Sequence, residues 1–169
     1  EYGVWACYHG VQDVHIGAKR QFSFEKGKSF LAYYPVAGNK SWFIGGDVYM
    51  SWTATYSWDV IAHELSHLFD DENNVLTDDP TGGSHSGDNQ YVVNGNTNKK
   101  HAVALAMSEA FATWFGTSIS ILSPYRSLVT SVGAGNTKYE DLANGIQYDL
   151  ESNDSLSWLG KTPLGEDTE

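Results

Sequence analysis

The chain has 169 residues, of which 41% are hydrophobic and 14% are aromatic. This composition is typical of a folded chain, and the length predicts one domain with its own hydrophobic core. The formal net charge of −11 argues against nucleic acid and anionic membrane surfaces as partners, because both repel an acidic protein.

The composition also predicts export. The chain is rich in Gly, Ser, Thr, Asn, Trp and Tyr and contains only ten Lys and Arg. It begins at Glu1 without an initiator Met or a signal peptide, so we expect a secreted protein that is processed from a longer precursor. Cys7 is the only cysteine, which excludes an internal disulfide and predicts a buried free thiol.

Residues 1–56 are predicted to be rich in β-strands, because short apolar runs alternate there with turn residues. The predicted strands are Gln21–Glu25, Ser29–Val36, Trp42–Ile44 and Val48–Met50. The Gly45-Gly46-Asp47 sequence lies between the last two of these runs, which predicts a hairpin or a bulged strand.

Residues 57–169 are predicted to be mainly helical, because apolar residues recur there at helical intervals. The three predicted helices run from Ser57, as the N-cap, to Leu68 or Phe69, from His101 to Leu122, and from Tyr139 to Leu150. The polar segment 70–90 predicts a long irregular connection. Strands followed by helices indicate a single α+β domain over residues 1–169, with a mostly antiparallel sheet before the helices.

The pentapeptide His63-Glu64-Leu65-Ser66-His67 can carry metal chemistry. Residues four apart lie on one face of a helix, so both imidazoles can reach one cation. Glu64 lies beside them and can reach a water on the metal instead of the metal itself. The alternative is a pair of solvent-exposed histidines, but the apolar residues around the motif predict burial. A catalytic zinc site uses three protein ligands, so a third ligand is expected elsewhere.

Glu109 is the candidate for that third ligand. It is the only charged residue in the segment 102–125, and a carboxylate within a buried helix is costly unless it is paired or bound to a metal. Arg126 is too far along the helix to pair with it, and Lys99 and Lys100 precede the predicted helix. The length of the helix also invites a membrane-spanning interpretation, which its polar residues and its flanks argue against.

The segment 57–67, taken with Glu109 in the segment 108–116, resembles the gluzincin metallopeptidases. The first segment looks like the active-site helix of thermolysin-like and fungalysin-like enzymes, and residues 39–42 and 48–50 resemble their substrate-binding edge strand. The short chain is closer in length to minimal single-domain gluzincins. The resemblance implies a zincin-like fold and a secreted, zinc-dependent endopeptidase that acts on proteins or peptides.

Three features depart from the thermolysin-like pattern. Those enzymes carry an Asp four residues after the ligand Glu, where this chain has Thr113. The gap between the zinc motif and the ligand Glu is longer, and no His follows His101 to stabilise an oxyanion. The metzincin pattern fails on spacing, because it requires Gly and then His or Asp where this chain has Asp70 and Asn73.

The resemblance implies a site in which three side chains bind zinc and a fourth is the general base. The zinc ligands are His63, His67 and Glu109, and the general base is Glu64. The tetrahedral oxyanion needs a further donor, for which Tyr148 is the first candidate and His101 the second. Asp59 and Asp149 are candidates for fixing an imidazole tautomer, and Asp59 is equally suited to cap its helix.

The acidic segment after the motif is a candidate calcium site, because calcium prefers oxygen ligands from loops. Its acidic residues are Asp70, Asp71, Glu72, Asp78, Asp79 and Asp88. The spacing of a regular calcium loop is absent, so a solvated loop is the favoured interpretation. His85 lies in the glycine- and serine-rich segment 82–87, which is a candidate lid.

Two other functions stay open from the sequence. A binding module could use the six Trp and ten Tyr residues to stack on sugars. An inactive relative of the peptidases could keep the fold and the zinc and act as a receptor or structural domain.

Overall fold

A computed structural model of the chain describes residues 2–24, 29–76, 99–120, 138–141 and 146–149. These residues form three α-helices, a three-stranded sheet and a two-stranded hairpin, which confirms the predicted α+β class. The helices are α1 (Tyr2–Phe22), α2 (Trp58–Asn73) and α3 (Lys99–Ser120). The strands are β1 (Ala32–Val36), β2 (Trp42–Ile44), β3 (Asp47–Ser51), β4 (Lys138–Asp141) and β5 (Ile146–Asp149). A 3-10 helix, Trp52–Tyr56, links β3 to α2.

The described chain begins with a helix, so the β-rich interpretation of residues 1–56 is wrong for their first part. The buried residues of α1 recur at helical intervals and are Ala6, Cys7, Gly10, Val11, Val14, Gly17 and Ala18. The predicted strand Gln21–Glu25 is wrong at its first two residues, which end α1. The short alternation at that point resembled a strand, but the longer apolar stripe before it determines the local structure.

The three-stranded sheet has the order β1-β3-β2. The predicted hairpin of β2 and β3 is confirmed, and Gly45 and Gly46 form its turn with φ angles of 63° and 86°. β1 pairs with β3 in parallel. The sheet is therefore mixed, which corrects the expected mostly antiparallel pairing. Strand direction is set by the connection between β1 and β3 and has no signature in the alternation of side chains.

The first two predicted helices are present and the third is not. α2 begins after Ser57, whose backbone carbonyl accepts hydrogen bonds from the backbone N–H groups of Val60 and Ile61, and it extends about one turn past its predicted end. α3 closely matches its predicted range. The predicted helix Tyr139–Leu150 is wrong, because β4 and β5 pair there as antiparallel strands. The Asn144-Gly145 sequence between them is typical of a hairpin turn and outweighs the weak helical period.

The hydrophobic core lies where α2 packs against α1, α3 and β3. Its largest fully buried apolar side chains are Phe69, Phe115, Met50, Ile61, Leu65, Leu68, Ile119 and Val48. Contributions from α2, α3 and β3 make α2 the central element, and its apolar stripe is covered along its length. Among the described helices, none combines the length and the apolar character that crossing a membrane requires.

Cys7 is a free thiol on the buried side of α1, as its apolar neighbours in the sequence predicted. Burial raises the pKa of Cys7 from 9.0 to about 11, because the thiolate loses its hydration there. We expect a thiol reagent at pH 8 to react about a hundred-fold more slowly with the native protein than with the denatured chain. Equal rates in the two states would contradict this burial.

Candidate metal centre

The pentapeptide His63-Glu64-Leu65-Ser66-His67 lies in the middle of α2. His63 and His67 are one turn apart on the same helix face, and their rings meet edge to face with centroids 4.9 Å apart. Their side chains are only 12% and 14% exposed. The motif therefore lies at the edge of the core, and the interpretation as two solvent-exposed histidines is wrong.

Glu109 reaches this pair from α3. Its side chain is buried, and its Oε2 atom lies 2.9 Å from Nε2 of His63. Its Oε1 atom lies 3.6 Å from Nε2 of His67, and the two Nε2 atoms are 3.3 Å apart. The sequence predicts that this carboxylate joins the two histidines. The structure brings the three side chains together.

The distances within the cluster suit a small divalent cation. A tetrahedral ion that binds its ligands at 2.0–2.2 Å separates neighbouring ligand atoms by roughly 3.3–3.6 Å. The separations are 2.9 Å from His63 to Oε2 of Glu109, 3.6 Å from His67 to Oε1 of Glu109 and 3.3 Å between the two Nε2 atoms, each within about half an ångström of that range. The two imidazole nitrogens and the Glu109 carboxylate therefore converge closely enough that one ion could contact all three side chains.

Glu64 is buried on α2 directly after His63 in the sequence, with 9% of its surface exposed. It is not one of the three groups that converge. Its role as general base therefore stays a prediction that rests on its position next to His63 in the sequence.

Two hydroxyl groups from α3 contact the far nitrogens of the imidazoles. Thr113 Oγ1 lies 3.4 Å from Nδ1 of His63, and Ser108 Oγ lies 3.2 Å from Nδ1 of His67. Thr113 therefore stands at the imidazole where the thermolysin-like pattern has an Asp. Sequence reasoning noted Thr113 only as a departure and missed Ser108, although it immediately precedes the ligand Glu109.

Asp59 and Asp149 are the two residues that the sequence suggests for fixing an imidazole tautomer. Asp59 is buried in the first turn of α2, where a carboxylate interacts favourably with the helix dipole. Nδ1 of His63 faces Thr113, so a favourable interaction with the helix dipole is the better interpretation of Asp59. The side chain of Asp149 lies outside the described part of the chain.

Neither candidate for the oxyanion donor has a described side chain. Tyr148 lies in β5, and its backbone pairs directly with Tyr139 of β4. Tyr139 is buried, and its ring centroid lies 5.8 Å from that of His63. The hairpin therefore approaches the metal-binding residues, and Tyr139 is a site neighbour that sequence reasoning missed because it assigned a helix there. His101 lies in the first turn of α3.

Gly116 allows α2 and α3 to approach each other beside the cluster. A Cβ atom added there would lie 3.1 Å from the backbone oxygen of Asp59 and 3.5 Å from the backbone nitrogen of His63. Backbone atoms of a packed helix cannot move aside independently. Because Gly116 follows Glu109 by about two helical turns, this close contact helps to set the distance at which Glu109 meets the histidines.

We expect Gly116→Val to lower the free energy of unfolding by about 1–3 kcal/mol, the usual cost of overpacking a core. Metal binding should weaken as well, because the added side chain pushes α3 away from α2. Denaturant unfolding and metal titration measure the two effects. Met107→Val places the same residue type at an exposed position of α3 and is the control. A Gly116→Val variant as stable as the control would contradict the close-contact argument.

The start of the acidic segment has a structural role. The Asp70 side chain accepts a hydrogen bond from the backbone N–H of Leu76 at 2.7 Å, and the Asp70 carbonyl accepts one from the backbone N–H of Asn74. Asp70 thus ends α2. The other candidate calcium ligands at 78, 79 and 88 lie outside the described residues, as does the candidate lid with His85.

Comparison of the chain with protein-family models, with curated proteins and with solved structures finds no match in any of the three. The function is therefore argued from the residues of this chain. Within the described segments, His63, His67 and Glu109 form a cluster that could hold a metal ion.

Proposed function

We propose that the chain is a zinc-dependent endopeptidase of the gluzincin type, with a zincin-like fold, that acts on proteins or peptides outside the cell. The observation that carries the proposal is the convergence of His63, His67 and Glu109 from two helices. Glu64 directly follows His63 in the sequence and is buried. Two imidazole nitrogens and one carboxylate oxygen suit zinc. Three protein ligands also leave a fourth position for water, as catalytic zinc sites do.

We assign the residues of the site different roles in peptide hydrolysis. His63, His67 and Glu109 would hold the zinc, which would supply Lewis acidity: it would lower the pKa of a bound water to about 7 and polarise the scissile carbonyl group. Glu64 takes the proton of the attacking water and passes it to the leaving amine, so one water is consumed for each bond broken. Tyr148 is our first candidate for hydrogen bonding to the oxyanion, because its strand partner Tyr139 contacts His63.

The strand β2 supports a peptide as the substrate. In the described sheet, β2 pairs with β3 on one side only, so its other edge can accept an extended chain through backbone hydrogen bonds. Phe43 of β2 packs against His67, with ring centroids 6.4 Å apart. An extended chain along β2 would therefore pass beside the metal ligands.

Metal analysis and a cleavage assay on the same preparations test the proposal. Zinc content and casein cleavage are measured for the native protein, for the protein stripped by a chelator and resupplied with zinc, and for Glu64→Gln. We expect about one zinc per chain and cleavage that depends both on zinc and on Glu64.

The other functions predict different outcomes. Zinc binding without cleavage would favour the inactive relative. Absence of zinc together with binding to glycans would favour the aromatic binding module, whose exposed rings include Tyr33 and Trp42, both stacked on the half-buried Tyr49. Either result would overturn the peptidase proposal.

A further inference from the structure

Each imidazole of the metal cluster lies between two groups of different kinds. Nε2 of His63 faces the Glu109 carboxylate at 2.9 Å, and its Nδ1 faces the Thr113 hydroxyl at 3.4 Å. His67 repeats the arrangement, with Glu109 and His63 near its Nε2 and the Ser108 hydroxyl near its Nδ1. A carboxylate can only accept a hydrogen bond, whereas a hydroxyl can donate or accept.

This difference determines which imidazole tautomer each state of the site favours. Without a cation, a proton on Nε2 of His63 lets that nitrogen donate to Glu109, and the hydroxyl of Thr113 can then donate to Nδ1. With a cation on Nε2, the proton must be on Nδ1, and the same hydroxyl accepts it. An Asp at position 113 could only accept, so it would compete with Glu109 for the imidazole proton and would favour a proton on Nδ1 in both states.

We propose that Thr113 is a positioning residue that acts as a two-way hydrogen-bond partner of His63, so that the imidazole is fully hydrogen-bonded both with and without the metal. On metal binding the proton of His63 is exchanged through solvent from Nε2 to Nδ1, and the hydroxyl rotates from donor to acceptor. Ser108 has the same relation to His67. Both hydroxyl-bearing residues are buried, which limits competition from water.

The consequence is a lower affinity for the metal than a carboxylate at position 113 would give. In the metal-free protein both nitrogens of His63 already have a hydrogen-bond partner. Metal binding therefore adds less favourable free energy at this imidazole. Outer partners of metal-ligating histidines typically change affinity by about 10–100-fold. We therefore expect Thr113→Asp to bind zinc about 10-fold more tightly. Thr113→Val has a similar shape but loses the hydrogen bond in both states, so its zinc affinity should change by less than that.

The test reads the tautomer directly. Nitrogen-15 NMR of the imidazoles at pH 8 is recorded for the metal-free protein and after one equivalent of zinc, and affinities come from competition with a chromophoric chelator. We expect His63 to carry its proton on Nε2 without zinc and on Nδ1 with it, and Thr113→Ser to behave like the native protein. Thr113→Asp should show the Nδ1–H form in both states.

A proton on Nδ1 of His63 in the metal-free native protein would overturn the inference, and so would a zinc affinity of Thr113→Asp that is no higher than that of the native protein. The native spectrum alone suffices if the Asp variant does not fold. The inference rests on the metal site of the proposed function and not on catalysis. A protein that binds zinc with the expected tautomer change but cleaves no peptide would refute the peptidase and leave this role of Thr113 intact.

Discussion

Glu109→Ala is expected to weaken zinc binding by more than about 100-fold, beyond the usual effect of losing an outer partner of a ligand. The reason is that Glu109 supplies the carboxylate near both Nε2 atoms, and no other acidic side chain joins that cluster among the described residues. Competition with a chromophoric chelator measures the affinity. Zinc should also raise the melting temperature of the native protein, because a bound ligand stabilises the folded state, and should no longer do so in the variant.

The variant must be separated from general damage to α3. Glu109→Gln keeps the shape of the side chain and removes the charge, so its metal-free form should fold like the native protein while its affinity falls. Asp71→Ala removes an exposed carboxylate from α2 and is the control for the change in net charge. Zinc affinity that stays within about threefold of the native value in Glu109→Gln would exclude Glu109 as a ligand.

Glu64→Gln is expected to reduce kcat for peptide cleavage by about 10²–10⁴-fold, the usual contribution of a general base, while the zinc content stays at the native level. Glutamine keeps the size and the buried position of the side chain but cannot take up the proton of the attacking water. KM should change little, because the substitution removes an interaction of the transition state and not of substrate binding. A fluorogenic peptide assay with metal analysis of the same sample measures both quantities.

Asp71→Asn is the matched control for this substitution, since it also converts an acid to its amide on α2, but at an exposed position. Full activity in Glu64→Gln would show that another group is the base. Loss of zinc along with activity would instead place Glu64 among the groups that hold the metal, which would contradict the assignment of roles made above.

The parts of the site that rest on local spacing or on one isolated charge could be read from the sequence. His63 and His67 share a helix face whatever surrounds them, because the four-residue interval alone places them there. Glu109 stood out because a lone charge in an apolar helix needs a partner. Both arguments need no knowledge of how α2 and α3 are oriented, and the structure brings the three side chains together.

The partners of these residues depend on tertiary packing and were not predictable in the same way. Whether Thr113 meets an imidazole depends on the rotation of α3 about its own axis and on the close approach at Gly116. Tyr139 was missed because a helix was assigned where strands pair, so its neighbours were sought on the wrong element. α1 was missed because its stripe of small and apolar residues shows a helical period only over the whole of residues 2–22, whereas the short alternation at its end resembles a strand.

The separation of the metal-binding residues along the chain has a consequence for how the sequence can vary. A cation that joins α2 to α3 closes a loop of 41 residues, 68–108, between His67 and Glu109. The entropy of closing a flexible loop rises only with the logarithm of its length, by about 0.6 kcal/mol for each doubling. Because α2 and α3 pack directly against each other, the number of residues between His67 and Glu109 has only a weak effect on the free energy of bringing these two side chains together. The long gap between His67 and Glu109, which separates this chain from the thermolysin-like pattern, therefore has only a small thermodynamic cost.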